Sequence, residues 1–79
     1  MLKERTLRLI VTFHTTAEAM ATQNLCRKRN LEGRLIPAPR ALTADCGIAW
    51  SAPPAMKDAL LRALEEEGVE IAGHDELLL

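Results

Sequence analysis

Apolar and polar positions alternate from Thr6 to Phe13. Leu7, Leu9, Val11 and Phe13 share one face, and Arg8, Ile10 and Thr12 the other. A period of two over this length predicts a strand with one face on a core. Next, Thr15 or Thr16 is placed to cap a helix running to about Asn30. Glu18 lies in its first turn and Arg27-Lys28-Arg29 in its last, where each charge suits the helix dipole. The apolar stripe of this helix is weak. Ala17, Met20, Ala21 and Leu25 form the better face, while Ala19 and Cys26 form another that Thr22 interrupts. Gly33 ends the turn. Arg34–Pro37 reads as a short strand that cannot continue, because Pro37 and Pro39 lack backbone donors.

Residues 37–46 then form a loop. Gly47–Ala52 is the next strand, with Ile48 and Trp50 on one face and Gly47, Ala49 and Ser51 on the other. Pro53 and Pro54 open a second helix, since proline is tolerated in a first turn. Met56, Ala59, Leu60, Ala63 and Leu64 give it a clean stripe, Gly68 ends it, and Glu65-Glu66-Glu67 read as a solvated end. Val69–Ala72 is read as the last strand and the residues beyond it as a tail.

The order βαββαβ predicts an α+β fold: a ferredoxin-like sandwich, with a four-stranded antiparallel sheet and two helices on one face. Right-handed crossovers place the first and third strands side by side in the middle. The expected layout is one domain over residues 1–79 with an ordered core at about 6–73.

Composition narrows the setting. Hydrophobic residues at 48% and charged residues at 27% suit a soluble globular chain, and the only aromatics, Phe13 and Trp50, leave the core to aliphatic side chains. Two cysteines cannot build a disulfide framework, so packing must hold the fold. No apolar run is long enough for a membrane span, and the mixed charges of Met1–Arg5 do not suit a signal peptide. His74-Asp75-Glu76-Leu77 is followed by two leucines and so is not a retention tag. A reducing cytoplasm with free thiols is the expected location. Residues 1–40 carry eight Lys/Arg against three Glu, and residues 41–79 carry two against eight Asp/Glu. This split reads as complementary surfaces of one domain.

The topology has a chemical consequence. The start of the third strand should lie beside the end of the first, where the first helix begins. Cys46 should then sit near His14 and the N–H groups of Thr15, Thr16 and Ala17, a place that favours an anion such as a thiolate. Arg40 in the same loop would add a cation, and Asp45 would oppose it. Gly47 leaves room for close approach to the sulfur, and the prolines stiffen the loop. Cys26, inside the first helix, reads as a packed residue rather than a resolving thiol. His74 is assigned to the opposite edge. Cysteine and histidine spacings fit no metal site, and no cofactor is implied.

Pro37-Ala38-Pro39-Arg40 followed by Asp45-Cys46-Gly47-Ile48-Ala49 resembles the signature of a family of small bacterial domains known as putative selenium/sulfur carrier protein-like. The resemblance covers nearly the whole chain, including Thr12-Phe13, the Thr16/Ala19 helix start and Glu67-Gly68. It implies that Cys46 is the carrier thiol, holding sulfur or selenium as a persulfide or selenide. It also implies a cysteine desulfurase or selenocysteine lyase-like donor, and an acceptor in a selenium or thio-modification pathway. Such a protein is a carrier rather than an independent enzyme. The alternative is a non-catalytic binding or homodimerisation module using an open sheet face that carries Ile10 and Trp50. RNA binding is disfavoured, because the chain has almost no aromatics on which bases could stack.

Overall fold

The computed structural model describes residues 6–42 and 46–79. Its elements are β1 (Leu7–Thr12), α1 (Thr16–Arg29), β2 (Arg34–Pro37), β3 (Ile48–Ala52), a 3-10 turn at Pro54–Met56, α2 (Lys57–Glu66) and β4 (Gly73–Leu78). The four strands make one antiparallel sheet in the order β2-β3-β1-β4. As topology requires, β1 and β3 are central and antiparallel, with Thr12 opposite Ala49 and Leu9 opposite Ala52. No helix among the described residues is long and apolar enough to cross a membrane.

Both helices end in the same way. Asn30, at φ 58°, and Gly68, at φ 70°, occupy the left-handed region. Behind them Leu31 N donates to Cys26 O and Val69 N to Leu64 O, satisfying carbonyls that the last turn leaves open. α2 begins later than expected. Pro54 starts a 3-10 turn, and regular α-helix follows only from Lys57.

The core lies between the sheet and the two helices. It joins Leu9, Val11 and Phe13 to Ala19, Leu25 and Cys26 of α1, Trp50 and Ala52 of β3, and Leu60, Ala63 and Leu64 of α2. The expected face of α1 is corrected here. Its buried residues are Ala19, Thr22, Leu25 and Cys26, while Ala17 and Met20 are exposed. Thr22 does not interrupt this face, because its hydroxyl donates to the Glu18 carbonyl at 2.9 Å and reaches the core satisfied. Small Ala19 and Cys26 on either side let the helix approach the sheet closely.

Three further expectations are corrected. The last strand is Gly73–Leu78, not Val69–Ala72, and the expected tail is its pairing segment with β1. Val69 and Ile71 instead pack irregularly against the core. Neither Ile10 nor Trp50 is an exposed residue of an open face: Ile10 is fully buried and Trp50 belongs to the helix-side core. Finally, Glu66 is not simply solvated, because it accepts from Arg29 Nη1 at 2.6 Å, tying α2 to α1.

Trp50 also fixes the α1–β2 turn. A Cβ on Gly33 would stand 2.5 Å from Trp50 Nε1 and 2.6 Å from its Cε2, so only glycine lets the indole lie flat against this turn.

Candidate functional site

The β2–β3 hairpin carries the candidate cysteine. Ladder pairing between Pro37 and Ile48 is extended by Ala38 N donating to Gly47 O at 3.0 Å. Cys46 therefore sits immediately outside the paired strands. Gly47, at φ 73°, turns the chain into β3 in a conformation that costs other residues strain, and a Cβ there would meet nothing within 4 Å. Its requirement within this chain is one of backbone conformation, since the space beside it is open. Further along the loop, Leu42 N donates to Pro39 O at 3.0 Å and closes a turn with Arg40 exposed within it. Arg40 makes no ion pair among the described residues. Asp45, the residue expected to oppose thiolate formation, lies outside the described residues.

Cys46 is half-buried and packs against the edge of the core. Its Sγ donates to the Ile48 carbonyl at 3.3 Å. This acceptor is supplied by the turn that Gly47 makes. Cys26 differs sharply. It is 1% exposed, and burial pushes its thiol up to about 11 from the ordinary 9.0. It also lies ten residues along α1 from Thr16, roughly 15 Å from the end of the helix that meets the Cys46 edge.

The register brings the end of β1 to this same edge, and His14, Thr15 and Thr16 lead from there into α1. The anion-favouring helix end already holds an internal anion. The Glu18 carboxylate accepts from His14 N at 2.8 Å and Thr15 N at 3.3 Å, while Thr15 Oγ1 accepts from Glu18 N at 3.2 Å. This reciprocal cap leaves Thr16 and Ala17 as the first-turn residues whose N–H groups it does not use. The Thr15-x-x-Glu18 spacing announces the cap, and the competition between Glu18 and a thiolate is what a reading of Glu18 as a generic first-turn acid misses. His74 is corrected as well. It pairs with Val11 near the start of β4, so it lies toward the His14 end of the sheet and not at the opposite edge. Among the described residues no group of three or more His, Cys, Asp or Glu could hold a metal ion.

Fold and edge together define a small α+β domain that holds one half-buried thiol at the mouth of a central strand. Residues 8–74 match the family described as Putative Se/S carrier protein-like, and the chain belongs to that family. No curated protein and no solved structure matches it.

Proposed function

We propose that this protein carries sulfur or selenium on Cys46, taking it from a cysteine desulfurase or selenocysteine lyase-like donor and passing it to an acceptor protein. The observation that carries this reading is the contrast between the two thiols. Cys26 is sealed in the core with its thiol pushed up to about 11, whereas Cys46 is half-exposed within the proline–arginine, cysteine–glycine pattern of a family named for carriers. The strand order supports reading the fold as a ferredoxin-like sandwich.

The transfer needs little from the carrier. Cys46 Sγ gives up its hydrogen bond to Ile48 O and attacks the terminal sulfur of the donor's persulfide. The donor's S–S bond breaks as a new S–S bond forms on Cys46, and the displaced donor thiolate takes the proton. No net oxidation occurs, and selenium would form an S–Se bond by the same displacement. Arg40 is the loop cation available to steer the donor or to face the persulfide anion, with Pro37 and Pro39 holding its loop. His14, Thr15 and Thr16 lead into α1 from the end of β1 on the same edge, and Gly47 leaves the approach open. The expected setting is the reducing cytoplasm.

Incubation with a cysteine desulfurase and cysteine, followed by intact mass measurement, tests the reading. Wild type and Cys26→Ser should each gain a sulfur adduct that Cys46→Ser lacks. An equal adduct on Cys46→Ser overturns it.

A further inference from the structure

Away from the cysteine edge, the sheet carries a cleft of about 500 Å³. Its walls include Thr6, Arg8, Arg34, Ser51 and Ile36, with Glu32 at the α1–β2 turn. Register places Arg8, Arg34, Ile36 and Ser51 on the sheet face opposite the helices, since Ile10 and Arg34 both stand beside Ser51 while Leu9, Val11 and Trp50 face the core. Ser51 is buried, and its Oγ accepts from Arg8 Nε at 3.0 Å. That bond fixes the plane of a half-buried guanidinium and leaves both of its Nη groups for another partner. Arg34 enters the same cleft from β2.

Neither arginine is paired to a carboxylate among the described residues. Asp75, on the same sheet face beside Ile10, directs Oδ1 to the N–H of Glu76 at 2.8 Å. Glu32 lines the cleft without approaching either guanidinium to ion-pair distance. Two guanidinium groups thus share a recess that Glu32 and Leu79 also line, on a floor that already excludes water from Ser51 and Ile10. A partly desolvated, pre-positioned fork of this kind recognises planar or tetrahedral oxyanions through charge-assisted hydrogen bonds. The volume falls in the range of small-molecule sites.

We propose that this cleft binds an oxyanion, a carboxylate or phosphate group of a small molecule, with Arg8 and Arg34 as its ligating residues. The site is separate from Cys46. Arg34 and Ser51 stand three ladder positions from Pro37 and Ile48, which is roughly 10 Å along the strands.

The test is an NMR titration at constant ionic strength with phosphate, with acetate, and with chloride as the control. Saturable shifts are expected at the Arg8 side-chain Nε–H and the Ser51 and Arg34 amides, with phosphate or with acetate but not with chloride. The arm that saturates identifies the oxyanion. Arg34→Gln, at an exposed position, should weaken binding about tenfold or more, the loss of one charge-assisted contact. Arg8→Lys, which keeps the charge but not the fork, should weaken it in the same direction. No saturation with either oxyanion, shifts centred instead on Arg27-Lys28-Arg29, or unchanged affinity in Arg34→Gln would overturn the proposal.

Discussion

Replacing Cys46 by serine leaves Cys26 as the chain's one thiol, and its reactivity can be calculated. Thiolate is the reacting species. In the folded chain the Cys26 thiol is pushed up to about 11, against 9.0 for an ordinary cysteine. Near pH 8 these values leave about one molecule in a thousand as thiolate when folded and about one in ten when unfolded. Ionisation alone therefore slows modification about a hundredfold on folding. Burial at 1% exposure slows it further, because a bulky disulfide reagent cannot reach the sulfur without an opening of α1. The assay is reaction of Cys46→Ser with a chromogenic aromatic disulfide, in buffer and in denaturing urea. Cys26→Ser is the companion, in which Cys46 should react in the native state. A native Cys26 rate within about tenfold of the unfolded rate is incompatible with this burial and pKa. It would also remove the contrast on which the carrier assignment rests.

The same thiol couples stability to pH: its folded value lies above its unfolded one, so the stabilisation is complete below about 9 and is lost as pH rises toward about 11. Across that window wild type should lose about 2–3 kcal/mol more than Cys26→Ala, read from urea melts. Gly33→Ala should cost about 1–3 kcal/mol, because the new methyl would meet the rigid indole at 2.5–2.7 Å. In a Trp50→Leu background the same change should cost less, and an equal cost in both backgrounds would show that the indole is not the obstacle. Thr15→Ala removes the acceptor for Glu18 N and should cost about 1 kcal/mol, lowering Tm by about 4–8 °C.

Much of this architecture is legible along the chain because its signals are local. The alternation from Leu7 to Thr12 marks β1, Thr15 and Glu18 mark the start of α1, and proline bounds β2 at Pro37. Two features are not legible in this way. The buried face of α1 runs through Thr22, a residue that looks polar until its hydroxyl is seen to bond Glu18 O. β4 opens with Gly73, His74, Asp75 and Glu76, residues poorly suited to strands. Its place is set by six register pairs with β1, and strand preference yields to such pairing. The more strand-like Val69 and Ile71 serve the core without joining the sheet. At the candidate site, Cys46 and Gly47 are visible as a motif. The Ile48 carbonyl that holds the thiol is not, because it depends on the positive φ of Gly47.

The pairing of β1 with β4 continues to Thr6 and Leu79, which exchange two backbone hydrogen bonds of 2.9 and 3.0 Å. The two ends of the described chain are thus clasped together, six residues along β1 from Thr12 and so roughly 20 Å from the cysteine edge. An affinity handle or fused enzyme attached beyond either residue leaves the domain from the far end. The Cys46 edge stays clear of the attachment in either arrangement. A circularly permuted chain, with these ends joined by a short glycine linker and new ends cut elsewhere, should keep the sheet order intact.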